Sequence, residues 1–311
     1  MKSQKLEGLI AAPFTPMYSD GKINISLIPS YYEMLLENGV KGAFICGSTG
    51  EGVSLTLAEK KEVAVAWASV AKGNDAFKVM MFLGGNCIEE CKELAKHAQS
   101  LGLYAVSFTS PFYFKPASTE ILAKMCKEIA AEVPEMPFYY YHIPVLTGVY
   151  FNMIDLLKAV DGSIPNFAGI KYTHEDFMDF QTCINFNNGK YDMLWGRDEN
   201  MLAALAIGAK GAVGSTYNYA PALYHDMIDA FTNNELDQAR FLQQKSIDMI
   251  GLLGKYGGIA TGKAYMKLMG LDCGHFRLPV KNMSTIQMEA FVQEAESIGF
   301  HTFCANMPKY S

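Results

Sequence analysis

Eight short apolar runs, each followed by a segment of helical period, restrict this chain to very few architectures. The runs, rich in β-branched and aromatic residues, lie near 8–15, 42–47, 78–84, 104–110, 137–143, 167–173, 191–196 and 211–215. Between them, helical spacing covers Ile28 to Glu37, Leu57 to Ala71, Glu89 to Ser100, Thr119 to Glu132, Met153 to Val160, Glu175 to Phe186 and Asn200 to Ile207, and Pro221 to Phe231 follows the last run. Repeated β-then-α units predict a parallel sheet, and eight of them predict an α/β protein of the closed (β/α)8 type, a TIM barrel. A doubly wound open sheet would stop at about five or six strands and carry a glycine-rich first turn. No G-x-G-x-x-G follows the first run, and no G-x-x-x-x-G-K-[ST] occurs anywhere. Beyond residue 232 the pattern is helical, near 234–253, 258–269 and 284–298, punctuated by Gly257-Gly258, Gly270 and Pro279. The expected organisation is one domain over residues 1–311, with the barrel in 1–231 and a C-terminal extension of about three helices in 232–311. A separate small domain from about 232 is the alternative.

Charge narrows the function classes. With a net charge of −6, a pI near 5.6 and no basic patch, the chain suits neither nucleic acid nor an anionic membrane. Lys2, Lys5 and Glu7 precede a short apolar stretch broken by Pro13 and Pro16, which reads as neither a signal nor a transit peptide. No apolar stretch approaches the ~18 residues of a membrane span. The seven cysteines are odd in number and form no C-x-x-C pair, which points to a reducing, cytoplasmic setting. Cys87 and Cys91 read as small core residues on a helical segment, and Cys273-Gly274-His275 lacks a second ligand pair, so no metal site is expected.

One residue conflicts with its surroundings. Lys171 lies in Phe167 to Thr173, a run that otherwise reads as a buried strand. Strict alternation puts Phe167, Gly169, Lys171 and Thr173 on one face and Ala168, Ile170 and Tyr172 on the other. Burial can lower a lysine pKa by ~3–5 units. A shift of ~3 units would raise the neutral fraction at pH 7 from roughly one in a few thousand to about a quarter. A neutral amine is the nucleophile that forms a Schiff base with a ketone. The competing reading is a lysine that snorkels from the strand end or pairs with a carboxylate.

In a (β/α)8 barrel the working residues gather at the C-terminal ends of the strands. The second run ends in Gly47-Ser48-Thr49-Gly50-Glu51-Gly52, a turn able to aim backbone N–H groups at an anion and better suited to a carboxylate than to a polyphosphate. It can also be read as a tight turn with Ser54 or Thr56 capping the next helix. In Phe138-Tyr139-Tyr140-Tyr141-His142, Tyr139 and Tyr141 share a face, and a phenol at a strand end can relay protons. Most strand aromatics are packing, a caution that extends to Pro111-Phe112-Tyr113-Phe114 and to His142. The seventh run ends in Trp195-Gly196-Arg197-Asp198-Glu199, where Asp198 fits a helix N-cap before Leu202 and both carboxylates can bind polyol hydroxyls. The eighth ends in Gly214-Ser215-Thr216-Tyr217-Asn218.

Taken together and in order, these residues resemble the pyruvate-dependent class I aldolases, the family of dihydrodipicolinate synthase and the sialic acid lyases. Gly47-Ser48-Thr49-Gly50-Glu51 resembles the family's pyruvate-carboxylate loop, Tyr141 before His142-Ile143-Pro144 its catalytic tyrosine, and Lys171 in Gly-Ile-Lys its Schiff-base lysine. Five residues after the tyrosine, dihydrodipicolinate synthases carry an arginine, whereas this chain has Leu146. The stretch Tyr141 to Val149, Gly196-x-Asp198-Glu199 and Gly214 to Asn218 are instead similar to the sialic acid lyases. His142 replaces a commoner asparagine, and Arg197 carries no functional forecast.

The resemblance implies reversible cleavage of N-acetylneuraminate to N-acetylmannosamine and pyruvate, without metal or organic cofactor. Lys171 would form the Schiff base and Tyr141 would move the proton, with Ser48 and Tyr113 extending the relay. The N–H groups of Ser48 and Thr49 would hold the carboxylate, Thr173 would meet the reacting region, and Gly196, Asp198, Glu199 and Ser215 would meet the sugar tail. Tyr113 would reach in from a neighbouring subunit, which implies an oligomer, typically a tetramer. Two alternatives stand beside this reading: an aldolase for shorter 2-keto-3-deoxy sugar acids, and a sugar-acid-binding barrel without catalysis.

Overall fold

The structure, a computed structural model, describes residues 5–308 of the chain. Its first half runs β1 (Gly8–Ala11), α1 (Ile28–Glu37), β2 (Gly42–Ile45), α2 (Leu57–Ala71), β3 (Lys78–Gly84), α3 (Ile88–Ser100), β4 (Ala105–Thr109) and α4 (Thr119–Ala130). The second half runs β5 (Phe138–His142), α5 (Pro144–Thr147), α6 (Met153–Val160), β6 (Phe167–Tyr172), α7 (Phe177–Asn185), β7 (Asp192–Trp195), α8 (Met201–Ala206), β8 (Gly211–Gly214) and α9 (Pro221–Thr232). The strands pair in chain order, all in parallel, and β8 closes onto β1 from Gly8↔Gly211 to Ala11↔Gly214. The molecule is therefore the expected (β/α)8 barrel. Three more helices follow, α10 (Leu236–Tyr256), α11 (Ala260–Leu268) and α12 (Thr285–Ser297). Among the described residues, no helix is long and apolar enough to cross a membrane.

Strand alternation divides the apolar residues into two layers. Ile10, Phe44, Met80, Phe82, Tyr139, Tyr141, Leu194 and Val213 fill the barrel, while Tyr140, Ile170, Tyr172 and Trp195 belong to the layer shared with the surrounding helices. At the N-terminal end of the barrel, buried Asp192 accepts hydrogen bonds from the Leu6 N–H (3.1 Å) and the Tyr139 hydroxyl (2.9 Å). Burial lifts its carboxyl to about 6.

Three local expectations need correction. β1 stops at Ala11 rather than near residue 15, because Pro13 has no N–H to continue a ladder. The β5–β6 register steps from Phe138↔Phe167 to Tyr139↔Gly169, so Ala168 is an extra residue on β6. This bulge turns Phe167 outward against Phe138 and Tyr191 and Ala168 inward, reversing strict alternation before Gly169 but leaving Lys171 on the inner face. Gly169 sits where any Cβ would overlap the Asp192 carbonyl of β7, so only glycine allows β6 and β7 to approach this closely. The third difference is α5, a single turn nucleated by Pro144 at its first position, where the sequence periodicity gave no helix.

The C-terminal helices dock through aromatic packing. The Tyr265 ring of α11 stacks on Tyr219 after β8 (4.8 Å between centroids) and meets Phe291 of α12 edge-on (4.8 Å). Phe291 also meets Tyr256 at 5.6 Å. Phe291→Ala should lower unfolding stability by about 3–5 kcal/mol in a denaturant titration. A loss below about 1 kcal/mol would show that α12 contributes little to the barrel's stability.

Candidate active site

The C-terminal ends of β5 and β6 bring a buried amine and a buried phenol side by side. Tyr141 and Lys171 are register partners on these neighbouring parallel strands, so both side chains point into the barrel. The same rung continues to Thr109 on β4 and Leu194 on β7. Lys171 Nζ lies 4.1 Å from the ring centroids of both Phe44 and Tyr141. Phe44 and Phe82 in turn meet the Tyr141 ring edge-on at 5.5 and 5.7 Å. Burial pulls the Lys171 amine down to about 7, although the nearby Asp198 carboxylate favours its charged form. About half of such a lysine is neutral at pH 7. The apolar jacket thus favours the neutral form of the amine, the form that a Schiff-base role would need.

Burial pushes the Tyr141 phenol upward, while the hydroxyls of Ser48 and Thr173 oppose that rise. The Thr173 hydroxyl is buried without a closed hydrogen bond of its own. Its neighbour across the β6–β7 mouth is Gly196, where a Cβ would overlap the Thr173 Oγ1 atom. Glycine at 196 therefore keeps space beside Thr173.

The turn after β2 stands over this pair. Thr49 is buried and Ser48 partly exposed, and among the described residues nothing accepts from the backbone N–H of either. Two donors in one turn, uncommitted to the protein, can receive a carboxylate. Glu51 faces away from this opening, in an ion pair with Lys263 of α11 (2.9 Å). Thr56, rather than Ser54, caps α2, accepting from the Glu59 N–H at 3.2 Å.

Asp198 does not cap α8. The Leu202 N–H donates to Gln243 Oε1 of α10 (2.8 Å), and Asp198 turns inward, where its Oδ2 accepts from the Thr216 N–H (3.0 Å) and hydroxyl (2.6 Å). Its Oδ1 is buried without a partner. Burial raises this carboxyl to about 6, against the two Thr216 bonds and with help from the Glu199 charge. Glu199 is held by Arg197 (2.6 Å), which also grips Glu175 (2.7 Å). Ser215, next to Thr216 in sequence, is partly exposed after the end of β8.

Tyr113, expected to act on a neighbouring copy's site, and His142, read as packing, both stand apart from Lys171 within the chain. Tyr113 is 78% exposed after β4, packed edge-on against Phe114 and not among the groups around Lys171. His142 points outward into a cluster with Tyr172 and His174, where burial and His174 depress its imidazole to about 3. Sequence reasoning missed Phe44 and Phe82, which alternation within β2 and β3 could have found, Lys263, which no local pattern marks, and the tie of Thr216, a residue of the quoted Gly214 to Asn218 stretch, to Asp198. Among the described residues, no group of three or more His, Cys, Asp or Glu side chains is arranged to hold a metal.

A closed (β/α)8 barrel with a buried lysine, about half uncharged at neutral pH, near a turn with two uncommitted backbone donors defines a protein equipped for amine chemistry on a carbonyl compound. More narrowly, the chain belongs to the dihydrodipicolinate synthetase family, whose family model matches residues 5–298. It is 40% identical to the N-acetylneuraminate lyase of Pongo abelii over 96% of this chain and 95% of the relative. Identity to the N-acetylneuraminate lyase of Homo sapiens is 39% over the same shares. The solved Proteus mirabilis N-acetylneuraminate lyase superposes with a TM-score of 0.92 at 37% identity, covering 96% of this chain and 100% of that one.

The Lys171 site implies a stability cost. Its folded pKa, about 7, lies below the ~10.4 of an unfolded lysine, so between those values the unfolded chain binds more protons and stability rises with pH. Lys171→Met should therefore stabilise the protein at pH 7, by about 1–2 kcal/mol, with the gain shrinking as pH approaches ~10. A destabilised variant in the same thermal or denaturant titrations would contradict the assigned environment.

Proposed function

We propose that this chain is a Schiff-base aldolase that reversibly cleaves N-acetylneuraminate to N-acetylmannosamine and pyruvate. The observation that carries the reading is the Lys171 amine, buried against Phe44 and Tyr141 with its pKa drawn down to about 7. The likeness to N-acetylneuraminate lyases over 96% of the chain supports the choice of substrate.

The neutral Lys171 amine attacks C2 of the open-chain substrate while the N–H groups of Ser48 and Thr49 hold its C1 carboxylate. Loss of water from the carbinolamine gives an iminium ion, and the Tyr141 proton serves as the acid for that step. The resting phenol is protonated, since burial raises its pKa. The new cation beside it favours the phenolate. The phenolate then takes the C4 hydroxyl proton as the C3–C4 bond breaks, the electron pair passes to the enamine, and N-acetylmannosamine leaves as the aldehyde. Protonation of the enamine at C3 and addition of water at C2 release pyruvate and restore Lys171. Thr173 lines the reacting region, and Gly196, Asp198, Glu199 and Ser215 receive the polyol tail. Ser48 extends the relay, with Tyr113 of a neighbouring copy in a homotetramer. The enzyme works in the cytoplasm as one domain, the helices of 232–311 being part of it.

Pyruvate release from N-acetylneuraminate, followed through NADH oxidation by lactate dehydrogenase, should be robust in the wild type and absent in Lys171→Ala. Tyr141→Phe should lower kcat by ~10²–10⁴-fold. Faster cleavage of shorter 2-keto-3-deoxy sugar acids would change the substrate. Saturable binding of the sugar acid without any pyruvate release would make the barrel a binding protein.

A further inference from the structure

The turn that presents the Ser48 and Thr49 N–H groups is held in shape from outside the barrel. It carries two non-glycine residues in the left-handed region, Cys46 (φ 57°) and Glu51 (φ 58°). Such a conformation persists only where its surroundings over-determine it. Local bonds supply part of that hold. The Gly52 N–H donates to the Gly47 carbonyl (3.1 Å), and the Thr15 hydroxyl donates to the Gly50 carbonyl (2.6 Å). The rest comes from the C-terminal segment through the Glu51 carboxylate. One oxygen pairs with Lys263 Nζ of α11 at 2.9 Å, and the other accepts from the Arg277 N–H at 2.8 Å. Both side chains of the ion pair are 3% exposed, and Lys263 also donates to the His275 carbonyl at 2.9 Å. Arg277 then clamps the far end of the turn, donating to the Ser54 carbonyl (3.1 Å), the Gly21 carbonyl (2.8 Å) and Glu59 (2.5 Å).

We infer that Glu51 and Lys263 are positioning residues for the substrate carboxylate: their buried ion pair fixes the turn so that the Ser48 and Thr49 N–H groups are aimed before any ligand arrives. The inference rests on the aldolase reading above and assigns a role to a helix outside the eight βα units. Neither side chain touches the reacting atoms. Without the pair the turn loses the anchor that holds Glu51 in its left-handed conformation, and a carboxylate left unpaired there is driven further toward water. That movement misdirects the carboxylate donors and leaves Lys171, on β6, in place.

The test compares borohydride trapping of two ketones on Lys171: pyruvate, and hydroxyacetone, which lacks the carboxylate. In Lys263→Met, the pyruvate concentration for half-maximal trapping should rise by about tenfold or more, the scale of a misplaced charge-assisted hydrogen bond, with hydroxyacetone trapping unchanged. Lys263→Arg, which keeps the charge, should stay within about threefold of wild type. Glu51→Gln with Lys263→Met removes both charges, guards against a variant that fails to fold, and should show the same selective loss. Wild-type pyruvate dependence in Lys263→Met or in the double variant, or equal loss of both ketones, would overturn the inference. Absence of pyruvate trapping in the wild-type protein would instead overturn the aldolase reading itself, and this inference with it.

Discussion

The site depends on one unfavourable placement, an amine in the interior of an apolar barrel. Lys171 has aromatic faces where water would stand in a solvated lysine, and this loss of solvent draws its pKa to about 7. Cation–π attraction from Phe44 and Tyr141 favours the charged form by only ~0.5–2 kcal/mol and does not offset burial. The barrel can tolerate the placement because its other inward residues, among them Ile10, Met80, Leu194 and Val213, pack as an apolar core. Asp192 occupies the opposite end in a different way, with its carboxylate tied to Leu6 and Tyr139. Asp192 is thus satisfied by hydrogen bonds, whereas the buried Lys171 amine is left open to reaction.

Rigidity around Lys171 comes from three directions. Register with Tyr141 fixes the amine beside the phenol, Thr216 fixes Asp198 across the mouth, and the C-terminal helices fix the β2 turn through Glu51. Each link is a backbone register or a buried polar bond, so the groups hold their spacing without a ligand to organise them. Among the connections of the C-terminal helices to the barrel are the stack of Tyr265 on Tyr219, the Gln243 bond to α8 and the Lys263–Glu51 pair behind the β2 turn.

Much of this was readable from the chain. The eight βα units and the trailing helices follow from hydrophobic period, and Lys171 stood out because a lysine is anomalous in such a strand. What escaped was non-local. Neither the Ala168 bulge in the β5–β6 pairing nor the close approach of Gly169 to Asp192 of β7 shows in the pattern of β6 alone. Asp198 has the sequence position of an N-cap, yet Gln243 from α10 serves α8 and Thr216 from beyond β8 claims the carboxylate. Arg197, without a forecast from sequence, bridges Glu175 and Glu199 at the mouth. Glu51 lies within a turn that suggested an anion site, but its carboxylate serves Lys263, 212 residues away, instead of the opening.

The proposed chemistry depends on burial holding a substantial share of Lys171 in its neutral, nucleophilic form near physiological pH. The direct measurement is an NMR titration of the Lys171 side chain in protein carrying labelled lysine, with Lys171→Met used to assign the resonance. A midpoint near 7 is the predicted result. A midpoint near the ~10.4 of a solvated lysine would contradict the account, because the amine would then be charged when the carbonyl arrives.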